Sequence, residues 1–240
     1  SLKWETTTVT DFGADFSMKN GLISLTVDWF DKVTDDILYQ IPVPASVGLS
    51  SPTINYGKMK NTGWEFEVGH RNRIGELSYN VNLNFTTFKN KVLEVVSPSY
   101  GNTIVKEGLP FNAFYLIEWD GIFQSQDEID KAPKHPFNPK PGDLKYRDAN
   151  GDGIIDSKDR VVVDGAYAKF YYGGSINLAW KNFDLSAFFQ GVQGNKLYLG
   201  GSHMAWGYTP FVQGSSPTLD YIKDMWTPSN PSNTTPAIYQ

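Results

Sequence analysis

Apolar and polar residues alternate with a period of two through several windows of the chain, the signature of strands whose two faces meet different surroundings. Phe12, Ala14, Phe16 and Met18 alternate with Asp11, Gly13, Asp15 and Ser17. Beyond Asn20-Gly21, Ile23, Leu25, Val27 and Trp29 alternate with Ser24, Thr26 and Asp28. Asn-Gly between two such runs predicts a hairpin. Trp64, Phe66 and Val68 are set against Glu65, Glu67 and Gly69, and Leu77, Tyr79, Val81, Leu83 and Phe85 against Ser78, Asn80, Asn82, Asn84 and Thr86. Late in the chain, Tyr172, Gly174, Ile176, Leu178 and Trp180 alternate with Gly173, Ser175, Asn177 and Ala179. After two residues, Phe183, Leu185, Ala187 and Phe189 alternate with Asp184, Ser186 and Gln190. The windows predict about six strands arranged as hairpins.

Two architectures suit such strands. A soluble sandwich buries the apolar face and uses strands of about 5–6 residues. A membrane barrel turns the apolar face to lipid and the polar face to a lumen, with strands of about ten residues. Here the alternation persists for roughly nine to eleven residues, enough to cover about 25 Å when tilted. The polar face of the 77–86 window is neutral and hydrogen-bonding, and large aromatics (Trp29, Phe30, Trp64, Trp180) sit towards strand ends, where an interfacial girdle would place them. The pattern favours the barrel but leaves both open.

Composition narrows the function classes. Lys+Arg 21 against Asp+Glu 26 gives a net charge of −5, so no broad basic surface for nucleic acid is expected. Cysteine is absent, which excludes disulfide frameworks, cysteine-ligated zinc and thiol catalysis. No apolar run approaches the ~18–20 residues of a membrane helix, a fact that leaves barrel strands untouched. The connections at Asn20-Gly21, Gly75 and Lys181-Asn182 are short, whereas Asp35 to Asn61 and Lys91 to Ala168 are long and rich in Pro, Gly and Ser. Short turns on one side and long loops on the other describe an outer-membrane barrel. Ser1 to Asp11 has no signal-peptide pattern, and the chain stops at Pro236-Ala237-Ile238-Tyr239-Gln240 without a closing element. Both ends predict an internal piece of a longer protein.

Several segments are specific enough to resemble a known family. Leu25 through Leu38 (LTVDWFDKVTDDIL) resembles a strand-to-loop segment of the SusC/RagA family of TonB-dependent outer-membrane transporters of Bacteroidota. Asn61-Thr62-Gly63-Trp64-Glu65-Phe66-Glu67 is similar to that family's "N-x-G-hydrophobic-E" strand start. Glu107-Gly108-Leu109-Pro110 with Trp119-Asp120-Gly121-Ile122-Phe123 resembles its "G-x-P … dGiF" segment, and Pro141 through Gly153 (PGDLKYRDANGDG) its most recognisable line. Gly173-Gly174-Ser175 through Phe183-Asp184-Leu185-Ser186 matches the next hairpin. Met204 through Tyr208 and Asp224 through Pro228 resemble extracellular segments of the family. The resemblance runs from about Thr7 to Pro236. It implies an all-β fold, part of an antiparallel transmembrane barrel of about 22 strands around a plug. On this reading residues 1–240 are part of the barrel domain, and 91–167 form a long extracellular loop region. The resemblance further implies import of a glycan or peptide in contact with outer-membrane lipid, with a SusD-like surface lipoprotein as partner. Energy would come through TonB, by way of parts of the parent outside this chain.

Candidate chemistry is sparse. Asp148-Ala149-Asn150-Gly151-Asp152-Gly153-Ile154-Ile155-Asp156-Ser157-Lys158-Asp159 has the spacing of a calcium loop. Oxygen side chains stand at positions 1, 3, 5, 9 and 12, glycine at 6, and the Ile154 carbonyl at 7. The hard oxygen set suits a structural Ca²⁺, with Ile155 packing beneath the loop. Position 12 is Asp159, as in dockerins, where an EF-hand has Glu. The alternative is an acidic turn held by its own Asx hydrogen bonds. Tyr100, Tyr115, Trp119, Phe123, Trp206 and Tyr208, in the long connections, are candidates to stack on sugar rings or touch a partner. Packing of the loops on each other is the competing reading. Glu65 and Glu67 share a strand face, which a glycosidase pair requires, but in a barrel they line the lumen near a rim. His70, His135 and His203 stand in no catalytic setting, and no nucleophile motif is present, so no enzyme is expected. The rival from another class is a soluble calcium-dependent β-sandwich that binds glycans.

Overall fold

A computed structural model describes residues 2–41, 43, 48, 50–96, 99–165, 167–198 and 217–238. In chain order the strands are β1 (Thr6–Met18), β2 (Ile23–Gln40), β3 (Thr53–Ile74), β4 (Leu77–Thr87), β5 (Lys89–Glu94), β6 (Ser99–Tyr100), β7 (Thr103–Val105), β8 (Ala113–Ile117) and β9 (Trp119–Ile122). After helix α1 (Gln126–Lys131) come β10 (Leu144–Tyr146), β11 (Arg160–Asp164), β12 (Phe170–Trp180), β13 (Phe183–Gln193) and helix α2 (Leu219–Asp224). The chain divides into two compact units, Ser1–Phe114 with Asp164–Lys196, and Tyr115–Val163 with Leu197–Gln240.

The first unit is one antiparallel sheet in the order β1-β2-β3-β4-β12-β13, with β5 added to β3. Each long strand pairs with the next long strand in the chain, which is the up-and-down order of a barrel wall. All six predicted windows fall on these strands. Register aligns their faces: Phe16, Leu25, Val68, Leu83, Gly174 and Phe189 form one continuous row, and Met18, Ile23, His70, Val81, Ile176 and Ala187 the next. The apolar face is bare. Phe16 is 59% exposed, Val68 43%, Leu83 44% and Leu185 60%. A sandwich would press these side chains against a second layer; here the sheet leaves them uncovered, as a lipid-facing wall does.

Aromatic rings bound this apolar band at both ends. Towards the long connections, Phe12 stacks on Trp29 (5.9 Å between centroids), Trp64 on Phe66 (6.2 Å) and Phe85 on Phe170 (5.6 Å). Towards the short turns, His70 stacks on Tyr79 (5.4 Å) and Trp180 on Phe183 (6.5 Å), with the Lys181 ammonium 5.1 Å from the Trp180 ring centre. Rings with one apolar and one wet side settle at such boundaries.

The connection expected from Asp35 to Asn61 is mostly strand instead. β2 runs for 18 residues and β3 for 22, and their pairing continues to Gln40↔Thr53. Past Trp29 and Trp64 polar and apolar residues mix on both faces (Phe30 and Leu38 on one side of β2, Asp31, Val33 and Ile37 on the other), so the alternation that marks a strand in sequence vanishes while the backbone ladder continues. Lys60 bonds Asp31 at 2.5 Å and Lys58 bonds Asp35 at 2.8 Å on the face that was apolar one turn of the pleat below. A register shift at Asp36, whose φ is 58°, re-aims the ladder.

The stretch 91–167 likewise holds short paired strands and a helix rather than an unstructured loop. In the second unit, β9 pairs with β10 (Leu144↔Ile122, Tyr146↔Trp119). Ile122, Trp226 and Ala237, with Leu144 against them, form a small apolar core. Helix α1 starts at Ser125, whose hydroxyl accepts from the Glu128 N–H at 3.3 Å, while Glu128 accepts from the Gln124 N–H at 2.8 Å. The Ser125-x-x-Glu128 spacing is a helix-start signal in its own right.

Candidate functional site: the inner wall and its loops

Opposite the apolar band, the same registers assemble a polar inner face. Asp15, Thr26, Glu67, Asn84, Gly173 and Gln190 share one row, and Ser17, Ser24, Gly69, Asn82 and Ser175 the next. Thr26 Oγ1 donates to Asp15 Oδ1 at 2.6 Å, and Ser186 Oγ to Asn177 Oδ1 at 2.9 Å. Asp28 lies directly across from Glu65. Glu65 and Glu67 therefore line the wall, as their shared face predicts. Apolar residues also stand on this face, among them Phe30 on β2, Tyr171 on β12 and Phe188 and Val192 on β13.

Towards the short turns the wall forms an open groove of about 570 Å³ whose lining combines the polar Arg71, Asn80, Asn177 and Asp184 with the apolar Tyr79 and Leu178. Arg71 is held by its neighbour hairpin: its guanidinium donates to the carbonyls of Gly21 (3.0 Å) and Asn20 (2.9 Å). Those carbonyls belong to a turn in which Lys19, Asn20 and Gly21 all have positive φ, the geometry Asn-Gly supplies readily. The surface can offer hydrogen bonds of both senses to a polar solute.

The family-like motifs have physical reasons in the structure. Asn61 Oδ1 accepts from Asn90 Nδ2 at 2.7 Å, and Asn90 Oδ1 accepts from the Phe111 N–H at 2.7 Å. Asn90 is buried, so this chain of bonds satisfies an amide that would otherwise be costly. Gly63 sits where a Cβ would run into the Thr87 carbonyl and the Phe30 ring. In the second motif, Gly121 has φ 99° and a Cβ there would meet the Asn233 side chain, whose Oδ1 accepts from the Ile122 N–H at 2.9 Å. In the third, the Gly142 N–H donates to the Phe123 carbonyl at 2.6 Å, and the Phe123 N–H to the Asp143 carbonyl at 3.0 Å.

The aspartate loop is closed by its own carboxylates. Asp148 accepts from the N–H groups of Gly151 (2.7 Å) and Gly153 (2.8 Å). Asp152 accepts from Ile154 N–H at 3.0 Å and Asn150 from Asp152 N–H at 2.8 Å. Asp156 caps a single 3-10 turn at Ser157–Asp159, accepting from Lys158 N–H at 2.7 Å. Asp159 is almost wholly buried and accepts from the N–H groups of Asp156 (2.7 Å), Ala149 (2.9 Å) and Asn150 (3.4 Å). The Asp156 N–H above all, then those of Ala149 and Asn150, hold its carboxyl below the usual carboxylate range against the opposing effect of burial. Ile155 is buried beneath the loop, as the pattern predicts, and its N–H donates to the Lys134 carbonyl. Lys158 Nζ stands 3.8 Å from Asp152 and 3.7 Å from Asp156, a cation drawn from the chain itself. Ile154 is half exposed.

The described aromatic candidates sit in different settings. Phe123 is 2% exposed and packs as core. This corrects its candidacy as a stacking surface, because no ligand reaches a buried ring. Trp119 is half exposed at the edge of β9. Tyr115 lies on β8. The side chain of Tyr100, and Trp206, Tyr208 and His203 altogether, lie outside the described residues. His135 stacks on Tyr146 at 5.3 Å and bonds the Phe137 backbone, a structural setting. Trp226, which the pattern does not single out as core, is buried and donates from Nε1 to Gln124 Oε1 at 2.9 Å.

Comparison with known proteins agrees with this architecture. Residues 1–232 match the family described as TonB dependent receptor-like, beta-barrel. The TonB-dependent receptor P26 of Formosa agariphila is 33% identical over 251 residues, covering 98% of this chain and 24% of that protein. TonB-dependent receptor SusC of Bacteroides thetaiotaomicron is 29% identical over 217 residues, covering 82% of this chain and 20% of that one. The chain thus spans about a quarter of the length of the curated relatives it matches. Among solved structures, the RagAB peptide transporter superposes with a TM-score of 0.74 at 21% identity, covering 99% of this chain and 26% of that chain, a likeness of fold. With the bare apolar band, the polar inner wall and the match over nearly its whole length, the chain belongs to the TonB-dependent receptor β-barrel family, and its sheet is a stretch of outer-membrane barrel wall.

Proposed function

We propose that the chain supplies six wall strands and a set of external loops to an outer-membrane importer of glycans or peptides. The importer is energised through TonB and partnered by a SusD-like surface lipoprotein. The observation that carries the reading is the sheet itself: one face apolar and ringed by aromatics at both ends, the other a hydrogen-bonding wall. Support comes from the relatives, one named SusC and another solved as part of a peptide transporter. The long connections lie on the extracellular side, because barrels of this kind keep their short turns in the periplasm. A wall of amides, hydroxyls and carboxylates suits the passage of a polar solute.

The test uses the full-length parent. It is expected in the outer-membrane fraction, with heat-modifiable migration, and its loss should abolish TonB-dependent uptake of oligosaccharides or peptides from a labelled panel. Recovery of the parent in the soluble periplasm would refute the reading. Uptake that persists without TonB would remove its energetic part.

The aspartate loop belongs to this proposal as a brace for the external loops, with Ca²⁺ as its structural ion. Its donors are all hard oxygens, on Asp148, Asn150, Asp152, Asp156, Asp159 and the Ile154 carbonyl, the set that suits Ca²⁺.

A further inference from the structure

Lys89 and Lys91 stand out by where the register puts them. Thr62 pairs with Lys89 and Lys60 with Lys91, continuing the ladder in which Phe66 pairs with Phe85. Along β4 and β5 the odd positions Leu83, Phe85, Thr87, Lys89 and Lys91 therefore share the lipid-facing side, while Asn90 and Val92 turn inward and are buried. Lys89 and Lys91 are exposed. They begin two residues beyond Thr87, the partner of Phe170 in the upper aromatic ring.

Charge at this level is unevenly balanced. Lys60 is neutralised by Asp31 and Lys58 by Asp35. Glu94 lies across from Lys58, and Lys169 is paired with Asp164 at 2.5 Å. Among the described residues, Lys89 and Lys91 have no carboxylate partner. Beside them β5, whose outer edge is bonded to Gly108 and Leu109, and the segment leading into β12 enclose a notch of about 420 Å³. Its walls include Thr87, Lys89, Lys91, Tyr167 and Phe170, together with Asp164 and Lys169, which neutralise each other. Two unpaired ammonium groups, a hydroxyl and aromatic rings thus meet at the rim of a hydrocarbon-facing band.

We propose that this notch binds the phosphate-bearing headgroup of an anionic lipid in the leaflet on the loop side. A lysine at this height keeps its methylenes along the apolar wall and its ammonium among the headgroups. Anionic headgroups attract such cations at short range. The aromatic ring below fits the acyl-chain boundary, so headgroup and chain meet matching chemistry two residues apart. The inference rests on the outer face meeting lipid and is independent of import, so failure here leaves the transport reading standing.

The test compares full-length wild type with the double variant Lys89→Gln/Lys91→Gln, and with Lys131→Gln/Lys134→Gln, which removes the same charge from α1 and its flank. Each is purified in detergent from vesicles of phosphatidylcholine alone or with phosphatidylglycerol, and the retained lipid is quantified. Wild type and the α1 variant should retain phosphatidylglycerol at least about threefold above the Lys89/Lys91 variant, with phosphatidylcholine alike for all three. Outer-membrane assembly of the variant, followed by heat-modifiable migration, separates lipid loss from misfolding. Equal phosphatidylglycerol retention in a folded Lys89/Lys91 variant overturns the proposal. Full displacement by millimolar inorganic phosphate also overturns it, because the site would then serve a free anion.

Discussion

Single residues carry the loop chemistry, and Asp159 is the most exposed to test. Its folded carboxyl sits below its unfolded value because three backbone N–H groups favour the ionised form. A lowered pKa contributes stability that is complete above the unfolded value near about pH 4 and is lost as pH falls through the folded one. Protection of the Ala149, Asn150 and Asp156 amides should therefore hold from pH 8 to 5 and fall on acidification below about pH 4. Protection undiminished at about pH 2 would contradict it. For the ion, Ca²⁺ should raise the melting temperature of the intact protein. Asp148→Ala or Asp152→Ala should abolish that shift, with calorimetry as the readout. A melting curve indifferent to Ca²⁺ leaves the loop as an Asx turn balanced by Lys158. In the adjacent core, Phe123→Ala should cost roughly 3–5 kcal/mol of local stability by opening a cavity, measurable as faster proteolysis within 115–163.

At the scale of the strand, the two faces make opposite predictions from neighbouring residues. Leu83→Arg on the apolar side should destabilise the folded barrel by about 2–4 kcal/mol in bilayers, the cost of a cation near mid-membrane. Asn82→Arg on the inner side should cost well under half as much, since water and polar side chains receive it. Urea titration of the full-length protein folded into vesicles distinguishes them, and equal costs would mean that the face assignment is wrong. Gly63→Val should disrupt the β3/β4 junction, because a side chain there collides with backbone at Thr87 and with Phe30. Here the reason for the Asn61-x-Gly63 spelling is packing and amide satisfaction rather than ligand contact.

For the whole molecule, the sheet order leaves β1 and β13 as edges of the described sheet. Unpaired edges and a bare apolar face favour association. Residues 1–240 expressed alone should need detergent to remain dispersed; a monodisperse, cooperatively unfolding monomer in plain buffer, read by size-exclusion and light scattering, would favour the soluble-module alternative instead. The inner wall gains a purpose only when the barrel around it is complete, which is why uptake is assayed on the parent.

The windows 11–18, 23–29, 64–69, 77–86, 172–180 and 183–190 were legible in the sequence because each strand has one face in hydrocarbon and one in water, and that contrast writes a period of two. Where the contrast ends, so does the signal: β2 and β3 continue past Trp29 and Trp64 with polar and apolar residues mixed on both faces, and only backbone pairing reveals them. The family wording from Asn61 to Gly153 was equally legible, but its reasons were not. That Asn61 serves Asn90, that Gly121 admits Asn233 and that Phe123 is core depend on partners 29, 112 and about 20 residues away in the chain. The sequence by itself determined which side chains want lipid and which want water. The tertiary structure decided which of them share a row, because cross-strand register depends on hydrogen bonds between distant segments that no local pattern encodes.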